Sequence, residues 1–205
     1  MAITWYEKCY DSTMNTFITV KLATKFNESF VDVQVDSDND SLLKQYNWRI
    51  NYGGYVSAKV NLKGKIKEFL LHRLVVENIN PTGLQVDHVD GNKLNNRRDN
   101  LRVASNTQNS FNIPKTALRV TSSYKGVSWD KLLKTWIASI TYKKKTVRLY
   151  RSSVPEDCAY AYNYAALFLV KQFAYLNTVT LPSTTTSLIE DKVLSQLKRH
   201  LKYTL

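Results

Sequence analysis

Two cysteines in 205 residues, Cys9 and Cys158, cannot build a disulfide framework or a four-cysteine zinc site, and only His72, His88 and His200 are there to help. That scarcity predicts a reducing, intracellular setting. Long apolar runs are missing too: no stretch approaches the roughly 18 residues needed to span a bilayer. The opening MAITWYEKCYD lacks the basic segment and apolar stretch of a cleaved signal. A soluble, cytoplasmic protein that is not secreted is expected. Acidic side chains are outnumbered, 17 against 29 Lys and Arg, which leaves a formal net charge of +12. A surface this basic is suited to a polyanionic partner, and the 43% apolar content supplies a packed core and excludes outright disorder.

The excess charge is unevenly spread, at −1 over residues 1–60, +5 over 61–120 and +8 over 121–205. The neutral first part reads as scaffold. There, β-branched and aromatic residues alternate in Thr16–Leu22, Phe30–Val35, Gly54–Val60 and Lys65–Leu71, which predicts four short strands. Gly53-Gly54 and Lys63-Gly64 supply turns, and Ser41–Trp48 forms a short helical or irregular connection. The carboxylates of Asp36, Asp38 and Asp40 are spaced like the start of a calcium loop. Ser41 stands where such a loop needs Gly, however, and Asn47 where it needs a bidentate Glu, so a solvated turn is expected.

Further along, Tyr124–Trp129, Thr135–Thr141 and Lys145–Tyr150 read as three strands, followed by a helix opening at Pro155-Glu156-Asp157. Ala159, Tyr162, Ala166, Leu169 and Phe173 recur at steps of three and four and give that helix one apolar stripe. Thr178–Ser187 reads as a Thr/Ser-rich linker. Ile189, Val193, Leu197 and Leu201 then mark an amphipathic helix over Leu188–Lys202, expected to dock on its own core, with dimerisation or a further contact to the polyanionic partner as alternatives.

The densest polar run is Val86–Asn109, VDHVDGNKLNNRRDNLRVASNTQN, with five asparagines before Gln108. Such a loop is costly to order unless side-chain hydrogen bonds or a metal hold it. Asp87-His88, Asp90-Gly91-Asn92, Asn95-Asn96-Arg97, Asn100-Leu101-Arg102 and Asn106 to Asn109, with Leu71-His72-Arg73-Leu74-Val75 before them, resemble HNH endonucleases of the homing type, found in phages and bacteria. The resemblance implies a ββα-metal motif with Asp87 as first metal ligand, His88 as general base, Asn100 as the structural asparagine of the catalytic loop and Asn109 as the helix ligand. Asn109 stands where the family's name has His, and its amide oxygen would meet the cation. The residue types suit that chemistry: an imidazole can take a proton from water near neutral pH, and oxygen ligands favour Mg²⁺ or Mn²⁺ over zinc. Arg97, Arg98 and Arg102 follow within one or two helical turns, where they would clamp phosphates or line a solvated face. His72, inside the apolar run FLLHRLVV, reads as a packed structural residue.

Residues 123–177 resemble the AP2/ERF DNA-binding domain through Tyr124-Lys125-Gly126-Val127, Trp136-Ile137-Ala138-Ser139-Ile140, Ala159-Tyr160-Ala161-Tyr162-Asn163-Tyr164-Ala165-Ala166 and Ala174-Tyr175-Leu176-Asn177. In that family a three-stranded sheet enters the major groove with a helix behind it. Matching positions make Lys125, Ser128, Trp129, Trp136 and Arg148 candidate DNA contacts, with Lys134, Lys143, Lys144, Lys145 and Arg151 near phosphates; Trp136 reads equally as core or contact. Ser128 replaces a common Arg, and Leu149-Tyr150-Arg151 departs from the usual end of the third strand.

Together these features predict an α+β chain: a β-rich region over 1–60, an HNH motif over 61–113, a linker over 114–122, an AP2-like domain over 123–177, and a linker with a C-terminal helix over 178–205. The expected activity is metal-dependent hydrolysis of DNA phosphodiesters to 5′-phosphate and 3′-hydroxyl ends, on double-stranded DNA, by a monomer or homodimer. The alternative is a sequence-specific DNA-binding protein or transcription regulator with an inactive nuclease motif.

Overall fold

The computed structural model describes residues 17–23, 30–76, 84–114 and 121–201. Cys9, the start of the first expected strand at Thr16, and most of the 114–122 linker lie outside them. The chain divides into two compact units, Met1–Ser105 and Asn106–Leu205. No described helix is long and apolar enough to cross a membrane.

In the first unit, β1 (Phe17–Ala23) and β2 (Phe30–Asp36) pair antiparallel, with Ile18 opposite Val35, Val20 opposite Val33 and Leu22 opposite Val31. The period-two alternation sends these apolar residues to one face, where Ile18, Val20, Leu22, Val33 and Val35 are almost fully buried. Each such side chain contributes about 1.5–3 kcal/mol by leaving water. The segment after β2 resolves into α1 (Asp40–Gln45), whose Leu43 enters the core and whose carbonyl accepts the Trp48 indole N–H at 3.1 Å.

A second sheet runs β3 (Arg49–Ile50), β4 (Val56–Leu62), β5 (Lys65–Leu70). Its β4–β5 turn is the expected Lys63-Gly64 step, with both residues at positive φ and the Gly64 N–H held by Asn61 Oδ1 at 2.9 Å. The short helix α2 (Leu71–Val75) follows β5 and carries His72 into the interior. β6 (Gln85–His88) and β7 (Leu101–Ala104) form a third, two-stranded sheet. Val86 and Leu101 from that pair join Leu43, Trp48, Val56 and Leu71 in one core.

The second unit opens with α3 (Asn106–Asn112) and then builds an antiparallel sheet, β8 (Val127–Asp130), β9 (Thr135–Tyr142) and β10 (Lys145–Ser152), in the order β10-β9-β8. α4 (Pro155–Val170) packs on it through the anticipated stripe, with Ala159, Tyr162, Ala166 and Leu169 buried and Phe173 just beyond. The helix lies so close that a Cβ on Gly126 would sit 1.9 Å from the Tyr162 ring, so only glycine fits there. Cys158 is enclosed in α4, and burial pushes its thiol up to about 11, the state of an inert packing residue.

The C-terminal helix departs from expectation at its start. α5 spans Ser183–Leu201 and starts five residues earlier than the apolar repeat indicates, so the Thr/Ser-rich segment is helical from Ser183. Pro182 explains this: its carbonyl accepts the N–H groups of Thr185 and Thr186 at 3.0 and 3.2 Å, and these close the first turn despite the weak helix propensity of threonine. Ile189, Val193 and Leu197 are fully buried as α5 packs against α4 and β10.

Candidate functional site

The polar run folds as a cross-stitched hairpin. β6 and β7 pair with Asp87 opposite Arg102 and His88 opposite Leu101. Arg102 donates from Nε to Asp87 Oδ2 at 2.9 Å, its Nη2 stands 2.8 Å from the same oxygen as an ion pair, and the carboxylate is only 5% exposed. Between the strands, Asn100 ties the loop together. Its Nδ2 donates to Asp90 Oδ1 at 2.9 Å and to the Asn95 carbonyl at 2.8 Å, and its Oδ1 accepts the Asp90 N–H at 3.1 Å. Asp90 also accepts from Asn95 Nδ2 and from the Asn92 N–H, each at 2.8 Å. Burial raises the Asp90 pKa, but these hydrogen bonds outweigh it and the carboxyl is held below its ordinary value. The asparagines thus supply the donors that order this loop.

At the end of β6, His88 is buried, and that burial lowers its pKa; Asn96, Asp90 and Asp87 favour the charged ring without reversing the direction. The imidazole is therefore neutral at physiological pH. Its ring lies 5.0 Å from that of His72, which lies 5.2 Å from that of Tyr55. His72 is the packed residue its apolar setting suggests: burial first, then the neighbouring His88 and Arg73, push its pKa down to about 3. Lys93 sits 4.4 Å from the Tyr55 ring centroid and donates to the Gly53 carbonyl at 2.8 Å. Tyr55, Lys93 and Asn96 were not among the candidate residues. Lys93 and Asn96 lie inside the motif, whereas no local spacing marks Tyr55.

The three arginines do not follow one another on a helix. Arg98 begins a single 3-10 turn and Arg102 lies on β7, because the return strand must pair with β6. The acidic cluster, expected as a solvated turn, is their counterpart. Asp38 forms an ion pair with the Arg98 guanidinium, Asp36 accepts the Arg98 N–H at 2.8 Å, and Asn39 Oδ1 accepts from Nη2 at 3.4 Å. Arg97 donates to Asn95 Oδ1 at 3.1 Å and lies over the Phe17 ring. Asn109 is half-buried on α3, in the second unit.

The candidate DNA contacts fall on both faces of the second unit's sheet. Ser128 pairs with Ile137, Arg148 with Ser139 and Arg151 with Ile137, which puts Ser128, Arg148 and Arg151 on one face. Trp129 pairs with Trp136 on the other face, shared with Val127 and Ala138; the two indoles meet edge to face at 5.1 Å. Lys134 sits in the β8–β9 turn and Lys143 and Lys144 in the β9–β10 turn, all at positive φ, while Lys145 donates to the His200 carbonyl. Lys125 is committed inside the unit: its ammonium donates to the carbonyls of Phe111 and Ile113 at 2.7 and 2.6 Å, and burial lowers its pKa to about 8. Asn177 clasps the Lys125 backbone from both sides and is itself paired with Asn163.

A family model for HNH endonucleases matches residues 69–111. The chain is 32% identical over 145 residues to an uncharacterized HNH endonuclease of Acanthamoeba polyphaga mimivirus, a match that takes in 71% of this chain and 74% of the viral protein. It is 39% identical over 82 residues to Protein 3.8 of Escherichia phage T7, covering 40% and 67% of the two. A solved structure described as "DNA binding and cleavage by the HNH homing endonuclease I-HmuI" is 38% identical, with a TM-score of 0.29, and the match spans 32% of this chain and 39% of that one. With the Asp87-His88 hairpin inside the stretch matched by the family model and most of a viral relative covered, this chain belongs to the HNH endonucleases, DNA-cleaving hydrolases.

Proposed function

We propose that the chain is a metal-dependent, homing-type endonuclease that cuts double-stranded DNA and is delivered to its site by an AP2-like sheet. The observation that carries this reading is the neutral, buried His88 next to Asp87 on a hairpin whose loop is ordered by its own side chains. A neutral imidazole accepts a proton from water; a charged one does not.

Among the described residues, no three His, Cys, Asp or Glu side chains form a metal-binding group. The donor chemistry still fits a hard cation, since a carboxylate at Asp87 and an amide at Asn109 both offer oxygen. By the resemblance to HNH endonucleases, the second ligand would be Asn109. When bound, Mg²⁺ or Mn²⁺ would supply charge stabilisation for the pentavalent phosphate and the departing 3′ oxygen. The protein's share is to place and deprotonate water. A bond forms between the water oxygen and phosphorus, the bond from phosphorus to the 3′ oxygen breaks, the water proton passes to a nitrogen of His88, and the departing 3′ oxygen takes a proton from solvent water. The products are a 5′ phosphate and a 3′ hydroxyl. Asn100 acts as a positioning residue, because its side chain is used up inside the loop.

For recognition, the three-stranded sheet backed by α4, and the Asn163–Asn177 pairing that closes the unit, support an AP2-like reading. Ser128, Arg148 and Arg151 would face the duplex, with Lys134, Lys143 and Lys144 near the backbone; Trp129 and Trp136 would contribute at the sheet's margin. Supercoiled plasmid with Mg²⁺ or Mn²⁺ tests the proposal. The expected result is open-circular or linear product for the wild type and none for His88→Ala, which should still bind DNA. Equal behaviour of the two proteins would overturn it and leave a binding protein as the better reading.

A further inference from the structure

The second unit contains a groove of about 600 Å³ between β10 and α5. Ile137 forms part of its floor, Arg148 and Arg151 line one side, and Lys192, Ser195 and Gln196 of α5 line the other. The two arginines share this groove because of a register shift between Arg148 and Tyr150. In a regular strand, residues three apart point to opposite faces; the extra residue at Leu149 brings Arg151 back to the face of Arg148. Arg148 and Arg151 are both exposed, and neither has an ion-pair partner among the described residues. Lys192 lies 5.3 Å from the Tyr150 ring centroid, which steadies its ammonium at the rim. One acid, Asp191, also lines the groove, so three cations oppose one carboxylate.

We infer that α5 is a wall of the DNA-binding surface: the groove between β10 and α5 takes the phosphate backbone of the duplex, with Lys192, Ser195 and Gln196 contacting phosphates opposite Arg148 and Arg151. The chemistry is that of backbone positioning. Guanidinium and ammonium groups neutralise phosphates, and hydroxyl and amide groups donate to their oxygens, none of which depends on base sequence. A concave site with a net excess of positive charge and an apolar floor suits a deoxyribose-phosphate strand better than a compact anion. The bulge gives the site its purpose, since a flat strand would turn one of the two arginines away.

The inference rests on the DNA-binding reading of the sheet, and one experiment separates the two. Equilibrium binding of the full-length chain to a labelled 30-base-pair duplex is measured over a salt series in chelator, so that no cutting occurs. Lys192→Gln is expected to lower the slope of log affinity against log salt by about 0.9, the loss of one phosphate contact. Ser195→Glu should weaken binding, Arg148→Gln should weaken it in parallel, and Lys198→Gln, the same charge change on α5 outside the groove, should have the smaller effect. Thermal melts confirm that each variant folds. If Lys192→Gln and Ser195→Glu bind like the wild type while Arg148→Gln weakens, or if Lys198→Gln matches Lys192→Gln, the α5 wall is refuted and the sheet reading stands. If Arg148→Gln is also without effect, or the wild type does not bind duplex DNA, both readings fall. Tighter binding to an RNA of the same sequence would overturn the assignment to DNA.

Discussion

Arg102 and Asp87 face each other across paired strands, and two nitrogens of the guanidinium meet one carboxylate oxygen at 2.9 and 2.8 Å. Both side chains are largely withdrawn from water, so removing one leaves the other charge buried and uncompensated. Arg102→Met is expected to cost about 3–5 kcal/mol, measured by urea unfolding. Adding Asp87→Asn to it should restore much of the loss. A cost under about 1 kcal/mol for the single change would mean that the pair behaves like an exposed one.

Asn100 closes the loop through three side-chain hydrogen bonds. Asn100→Ala strands the Asp90 N–H and the Asn95 carbonyl, and the expected loss is about 2–3 kcal/mol. Cutting should fall with it, because the loop also fixes the end of β6. Full activity in a destabilised Asn100→Ala protein would show that the loop does not position His88.

Lys125 is predicted to act inside its unit. Lys125→Met removes a charged donor from the carbonyls of Phe111 and Ile113 and should lower stability by about 1.5–3 kcal/mol. The salt dependence of DNA binding should stay as in the wild type, since no phosphate contact is lost. A slope reduced by about one would return Lys125 to the DNA interface suggested by the AP2 resemblance.

His72 makes the fold sensitive to acid. Its pKa is about 3 when folded and 6.5 when not, so the unfolded chain binds more protons across that window. Stability is complete above pH 6.5 and falls as the pH drops toward 3. Melting temperatures from pH 7 to pH 4 should decline, and His72→Phe should flatten part of the decline; His88, whose pKa is also lowered by burial, accounts for a share of the rest. Superimposable profiles for wild type and His72→Phe would rule the mechanism out.

Where neighbouring residues decide the outcome, the sequence was readable. The alternation in Phe17–Ala23 and Phe30–Asp36 marks the strands whose valines and isoleucines pair, and the spacing from Asp87 to Asn100 marks the hairpin and its loop. What escaped depends on partners far along the chain or on a break in periodicity. Arg98 looked like a free cation because Asp38 lies 60 residues away. The acidic turn looked solvated for the same reason. A strict period of two cannot place Arg148 and Arg151 on one face, since the bulge that does so has no signature in KTVRLYRS. The early start of α5 was hidden by a run of threonines that propensity assigns to a linker.

The grip of Lys125 and of the Tyr175 N–H on the Phe111 carbonyl roots α3 in the second unit, although the HNH family match runs through that helix to residue 111. For anyone building chimaeras, a seam placed just after that match would therefore part α3 from its supports. A graft that ends after residue 113 carries the helix but leaves behind Lys125 and Tyr175, which hold its end. One joined between β7 and α3 keeps helix and holders together, so exchanging the second unit would exchange the final residues of the HNH match, Asn109 among them.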